Sequence, residues 1–188
     1  MFQKKDIIKI RISGMGGQGI LLSGYILGKA AVEYDGIQAV QTQSYGPEMR
    51  GSKCKSDIIF SFNNNPIPYP VIEKADILIA MSQDAWISYN KLLYKESLVF
   101  IDIDLVQIKS NSHKIYKIPV IKMANELGNR VIANIIMIGA VLGVTQLISQ
   151  SAIKKAVVDS VPNDLRELNL IALQKGFKIG EEIIKETI

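Results

Sequence analysis

Asp6–Ser13 (DIIKIRIS), Gly14–Gly19 (GMGGQG), Ile20–Val32 and Ile37–Thr42 (IQAVQT) together decide the fold. The first segment alternates apolar and polar residues, with isoleucine at 8, 10 and 12, which is the period-two pattern of a strand. The glycine-rich turn follows at once. Ile20–Val32 then places apolar residues at helical spacing, Leu27, Ala30 and Ala31 among them, and Asp35-Gly36 ends that helix and turns the chain. Ile37–Thr42 reads as a second strand. Strand, turn, helix, strand is a βαβ unit, and such units predict a parallel sheet.

Working outward, Ser56–Phe62 is a further strand, bounded by the polar turn Asn63–Asn65 and by prolines at 66, 68 and 70. Ile77–Met81 and Leu98–Ile103 are apolar runs of strand length, and Asp84–Leu93 between them reads as a helix. Ile115–Ile118 is one more strand before Pro119. Val131–Ile148, Ala152–Ser160 and the segment from Asp164 onward are helical. The expected fold is α/β, a mostly parallel Rossmann-like sheet with helices on both faces and a C-terminal helical segment, in one domain over residues 1–188. Val131–Ile148 carries no charge, and Gly139 and Gly143 form a GxxxG. A membrane span would need about 20 apolar residues. Asn134, Thr145 and Gln146 interrupt this run, so a helix buried in the core or at a subunit interface is expected.

The chain has 188 residues, of which 48% are apolar and 21% charged. That apolar share supports a sizeable core and excludes a disordered chain. One cysteine, Cys54, excludes a disulfide framework and any multi-cysteine metal site built from this chain alone. Met1–Ile10 lacks the apolar core and cleavage site of a signal peptide, so a cytoplasmic protein is expected. The net charge of +4 comes from dispersed lysines with no arginine-rich block. No nucleic-acid partner and no membrane partner are expected.

Two motifs carry chemistry. Gly14, Gly16, Gly17, Gln18 and Gly19 satisfy G-x-G-x-x-G between a strand and a helix. Glycines allow close backbone approach to an anion, and a helix start offers free N–H groups at its positive end. A dinucleotide site also wants an acid about 20 residues on, at the end of the second strand. Gln41, Thr42 and Gln43 stand there, and Asp35 lies at the wrong end of that strand. A P-loop is excluded because Ile20 and Leu21 replace its Lys and Ser/Thr. The plainer alternative is an ordinary tight turn. The second motif, Ser44–Ser52 (SYGPEMRGS), directly follows the second strand. Gly46-Pro47 stiffens it. Arg50 is suited to clamp a phosphate or carboxylate, while Tyr45 and Glu48 are placed to position a partner. A self-contained turn with a Glu48–Arg50 pair is the alternative. In a parallel sheet both loops emerge at the carboxyl edge, where ligands bind.

Other chemistry is thin. His113 is the one histidine and stands in a polar stretch read as a solvated loop, so no histidine triad or zinc site is expected. Lys53 and Lys55 flank Cys54 and are expected to lower its pKa, without making it a nucleophile. Asp102 and Asp104 end a strand, and spacing alone does not make them an acid/base pair.

GMGGQGILLSGYILGKAA, VQTQSYGPEMRGSKCKSDIIFS and ADILIAMSQDAWISY resemble the γ subunit of 2-oxoacid:ferredoxin (acceptor) oxidoreductases, over roughly residues 8–145. The Gly-Gly-Gln-Gly turn and the Tyr-Gly-Pro-Glu-x-Arg-Gly loop carry the likeness, and QTQSYGPE is shared with the 2-oxoglutarate type. Ser52 departs from it, since a second glycine is usual there. The resemblance implies a multi-subunit enzyme that converts 2-oxoglutarate to succinyl-CoA and CO2 with thiamine diphosphate, Mg2+, iron–sulfur clusters and coenzyme A, and passes electrons to ferredoxin or a similar acceptor. Pyruvate, branched-chain and indolepyruvate complexes are the near alternatives, and a stand-alone nucleotide-binding oxidoreductase domain is a further one. It also implies α, β (thiamine-binding) and δ (ferredoxin-like) partner subunits. This chain, with no cluster cysteines and no thiamine-diphosphate motif, would hold none of the cofactors by itself and be inactive alone. Gly14, Gly16, Gly17, Gln18, Gly19, Tyr45, Gly46, Pro47, Glu48, Arg50 and Gly51 would then enclose coenzyme A or contact a subunit.

Overall fold

The computed structural model describes residues 5–45, 53–63, 65–67, 69–109 and 112–187. Strands β1 (Ile7–Met15), β2 (Gln38–Tyr45), β3 (Lys53–Ser61), β4 (Ala75–Ala80), β5 (Leu93–Asp102) and β6 (Lys114–Ile118) form one sheet. Their order is β2-β3-β1-β4-β5-β6. β1, β4, β5 and β6 are parallel neighbours. β3 runs antiparallel to both β1 and β2. The architecture is the expected mostly parallel α/β sheet, with one correction: β2 shares the direction of β1 but is not its neighbour.

The reason is the short connection. Only residues 46–52 join β2 to β3, and a parallel pair needs a crossover of a dozen residues or more. A buried ion pair then holds β3 against β1. Arg11 stands opposite Asp57 in the register. Its Nε and a terminal nitrogen each meet a different Asp57 carboxylate oxygen at 2.7 Å, and that nitrogen also donates to the Ile72 carbonyl at 2.6 Å. Both side chains are only 3% exposed. Lys55 adds a second cation to Asp57 at 3.0 Å. Such a pair is held by its several hydrogen bonds, and removing one partner strands a buried charge.

Helices α1 (Ile20–Lys29), α3 (Val120–Glu126), α4 (Ala133–Thr145), α5 (Gln150–Ser160) and α6 (Arg166–Thr187) build the core on one face. There Ile8, Ile10, Ile12, Ile58, Phe60 and Ile79 are buried. The other face carries α2 (Gln83–Tyr89), whose Ala85 and Trp86 cover Leu78, Val99 and Ile101. The expected helix over Asp84–Leu93 is therefore shorter, because Leu93 opens β5. α1 widens into a π turn over Ala30–Tyr34. α3 was not expected from sequence. It spans only two turns, too few for a periodic pattern, and its start is anchored from afar by the Ile121 N–H donating to Asp102.

Every residue of α4 is buried. No helix among the described residues is long and apolar enough to cross a membrane. The GxxxG of α4 instead meets a second one, Gly176 and Gly180, on α6. A Cβ on Gly176 would lie 2.1 Å from the Ile136 carbonyl oxygen, and one on Gly139 would lie 2.4 Å from that of Leu173. The two helices touch backbone to backbone.

This contact makes opposite predictions for two helical glycines. Gly176→Ala overpacks backbone and should destabilise by about 1–3 kcal/mol or more, lowering the melting temperature by about 2–4 °C per kcal/mol. Gly28→Ala, where an added Cβ meets nothing within 4 Å, should stabilise by about 0.5–1 kcal/mol. Calorimetry of both variants reads the signs, and equal shifts would contradict the close contact.

Candidate functional site at the carboxyl edge

The turn after β1 is built by its own glutamine. The Met15 N–H donates to Gln18 Oε1 at 2.7 Å, and Gln18 Nε2 donates to the Met81 carbonyl at 2.8 Å. One side chain thus clasps the end of β1 to the end of β4. The Gln18 N–H closes the turn on the Met15 carbonyl at 3.1 Å. Two of the amides expected to face an anion are therefore used internally. Gly16 and Gly17 make no hydrogen bond to another described residue.

Glycine is demanded at particular places. Gly17 has φ 93° and open space where a side chain would stand. Gly19 has φ 70°, and a Cβ there would fall 2.4 Å from Asn134 Nδ2. Asn134, buried at the start of α4, donates to the Gly19 carbonyl at 3.3 Å. Gly19 precedes α1 and offers no side-chain cap, and no acidic residue lies in the first turn of that helix. The amide end of α1 is thus left to whatever lies outside the edge.

Gly14 pairs with Cys54 on β3 from one side, and Tyr45 pairs with it from the other. At about 4.8 Å per strand, the turn and the end of β2 stand about 10 Å apart. So Gly14, Gly16, Gly17, Gln18, Gly19 and the Tyr45 backbone share one edge, as expected. Gly46, Pro47, Glu48, Arg50 and Gly51 lie outside the described residues, as does the anticipated Glu48–Arg50 pair.

The structure disfavours a dinucleotide site for physical reasons. Gln41 donates to Ser56 Oγ at 2.8 Å and to the Leu21 carbonyl, so it is committed beneath α1. Asp35 accepts the Ser149 N–H and hydroxyl, each at 2.6 Å, at the start of α5. Neither is free to hold a ribose.

Cys54 requires a correction. Burial pushes its thiol pKa up, opposite to the expected lowering. The flanking lysines point elsewhere, Lys55 to Asp57 at 3.0 Å and Lys53 to Ser88 at 3.4 Å. His113 is half-buried ahead of β6, not fully solvated. Asp102 is fully buried and accepts the N–H groups of Asp104 and Ile121 at 2.8 and 3.1 Å. Burial raises its carboxyl pKa despite those two bonds. Among the described residues no group of three or more His, Cys, Asp or Glu could hold a metal ion.

Sequence reasoning missed one residue here. A cleft of about 170 Å3 opens beside the turn, lined by Gly17, Gln18, Met81, Ile121, Arg130 and Val131. Arg130 follows Asn129, whose side chain accepts the Val131 N–H at 3.0 Å. Its signal was a lone arginine just ahead of the long apolar run.

Replacing Gln18 by leucine removes both clasp bonds and leaves the Met15 amide and Met81 carbonyl unsatisfied. At about 1 kcal/mol per bond, Gln18→Leu should cost about 1–3 kcal/mol. Gln18→Glu keeps the acceptor and should cost less. Denaturant titration of the three chains checks that order.

The chain matches the model of the family described as pyruvate ferredoxin/flavodoxin oxidoreductase over residues 9–179. It is 42% identical to the 2-oxoglutarate synthase subunit KorC of Methanocaldococcus jannaschii, covering 93% of this chain and 95% of that one. It also resembles the crystal structure of a keto/oxoacid ferredoxin oxidoreductase γ subunit from Geobacter sulfurreducens, with a TM-score of 0.81, 37% identity, and coverage of 93% of this chain and 99% of that chain. The 2-oxoglutarate:ferredoxin oxidoreductase of Magnetococcus marinus, solved with 2-oxoglutarate, coenzyme A and succinyl-CoA bound, shares the fold at a TM-score of 0.84 and 19% identity. There the match covers 95% of this chain and 32% of that one. With its mixed sheet, glutamine-clasped turn and buried α4, the chain belongs to the pyruvate ferredoxin/flavodoxin oxidoreductase family.

Proposed function

We propose that this chain is the γ-type subunit of a 2-oxoglutarate synthase, a complex that converts 2-oxoglutarate and coenzyme A to succinyl-CoA and CO2 while reducing ferredoxin or a similar acceptor. The observation that carries the reading is the near end-to-end identity with a KorC chain. The partners are α, thiamine-binding β and ferredoxin-like δ subunits. Thiamine diphosphate, Mg2+ and iron–sulfur clusters, held by those partners, supply the decarboxylation and electron transfer. This chain has one buried cysteine, whose raised pKa suits neither thiolate ligation nor nucleophilic attack. Its contribution is to bind and orient an anionic substrate and to exclude water around it.

Coenzyme A is that substrate. The uncapped start of α1 and the free Gly16 and Gly17 face the same edge as the end of β2, from which Tyr45, Gly46, Pro47, Glu48, Arg50 and Gly51 continue. Gly14, Gln18 and Gly19 hold the turn in shape. Arg50 provides a guanidinium suited to a phosphate, which lysine does not reproduce as a bidentate partner.

A tagged chain should co-purify from its native cells with the other subunits and with 2-oxoglutarate-dependent, coenzyme-A-dependent acceptor reduction. Assays with pyruvate, branched-chain oxoacids and indolepyruvate in parallel identify the substrate. A lost charge-assisted bond is worth about 1.5–3 kcal/mol. Arg50→Gln should therefore lower kcat/KM for coenzyme A by about 10- to 150-fold, and Arg50→Lys should recover part of it. The KM for 2-oxoglutarate should move less. An intact complex with an unchanged KM for coenzyme A would refute the contact.

A further inference from the structure

The cleft beside the turn lies where the chain's path through the sheet reverses. From β1 the chain passes through α1 to β2 on one side, and from β4 it passes through α2 to β5 on the other, while β1 and β4 are hydrogen-bonded parallel neighbours. In open α/β sheets ligands bind outside the carboxyl ends of the strands at such a reversal. Gly17 and Gln18 come from the end of β1, and Met81 from the end of β4. The end of β2 lies on the other side of β1, two strands away.

The chemistry of the cleft is simple. Met81, Ile121 and Val131 make it apolar, and Val131 is 68% exposed. Among the described residues Arg130 is its one charged lining residue. Arg130 is exposed; its carbonyl accepts the Ala133 N–H, while its guanidinium makes no hydrogen bond or ion pair to a described residue. Asp102, whose carboxylate feels the Arg130 charge, is buried and already accepts the N–H groups of Asp104 and Ile121. The guanidinium therefore retains its donors for a ligand. In the same cleft, a Cβ built on Gly17 would meet no described atom within 4 Å. Arg130 is also held in place: Asn129 caps its turn, and Asn134 four residues on locks the same segment to Gly19.

An apolar-walled cleft with one arginine suits an anionic group carried on an organic body better than a free ion. Its volume of about 170 Å3 falls below the ~300–1,000 Å3 of a complete small-molecule site, so it takes one end of a ligand. We propose that Arg130 holds a phosphate group of coenzyme A in this cleft, making the β1/β4 side of the turn, and not only the loop after β2, part of the coenzyme A site. The proposal rests on the coenzyme A reading above.

The test is steady-state kinetics on the reconstituted complex carrying Arg130→Gln, Arg130→Lys or Arg50→Gln in this chain. Arg130→Gln should raise the KM for coenzyme A by about 10- to 100-fold, with smaller changes in kcat and in the KM for 2-oxoglutarate, and with the chain's melting temperature kept. Arg130→Lys should recover part of the loss. An unchanged KM in Arg130→Gln, with a raised one in Arg50→Gln, overturns the role of Arg130 and leaves the coenzyme A reading standing. An unchanged KM in both overturns both. A second readout needs no assembly. NMR titration of the full chain with adenosine 3′,5′-bisphosphate should shift the Gly17 and Gln18 amides and the Arg130 Nε–H, and an Arg130→Gln chain should lose the response. Shifts elsewhere only, or shifts that persist in Arg130→Gln, contradict the proposal.

Discussion

The depth at which α4 sits governs the carboxyl edge. Four glycines, two on α4 and two on α6, leave no side chain between the helices, so carbonyl oxygens of one meet the Cα atoms of the other. Side chains of ordinary size would push α4 outward. Because α4 is apolar on every side and wholly buried, it has no solvent face on which to slide. Its first turn is thereby fixed against the sheet edge. Asn134 then reaches the Gly19 carbonyl, and Arg130 lines the same cleft as the turn.

A second constraint acts within the sheet. The Arg11–Asp57 pair, with both charges buried, is tolerable only with its hydrogen bonds complete. It ties the antiparallel strand β3 into the sheet between β1 and the edge strand β2. That insertion separates the end of β1 from the end of β2 by two strand spacings. The turn after β1 lines a cleft towards the end of β4 and the starts of α3 and α4. The Gln18 clasp stiffens the turn, at the cost of one amide that a bare glycine loop would offer to an anion.

Much of this was legible in the sequence, for local reasons. The alternation over Ile8, Ile10 and Ile12 and the helix from Ile20 are short-range patterns, and both stand in the structure. The neighbour of β1 was not legible, because the pairing of Arg11 with Asp57 is a contact between distant residues. The strands flanking residues 46–52 also read too short, and their true lengths reveal that no crossover fits. Gly139 and Gly143 were visible as a close-approach motif. Their partner pair Gly176 and Gly180 has the same spacing and would have named the contacting helix. The Cys54 thiol was misjudged because sequence neighbours in a strand point to opposite faces, so Lys53 and Lys55 do not share its surroundings. Arg130 drew no notice because its meaning comes only from the cleft.

The central claim is that this chain meets coenzyme A at the carboxyl edge between β1 and β4. Amide hydrogen exchange of the assembled complex, with and without coenzyme A, tests it most directly. The account predicts slowed exchange at residues 16–20 and 130–134, with the α4–α6 contact unchanged. Protection confined to other parts of this chain, or to the partner subunits alone, would contradict it.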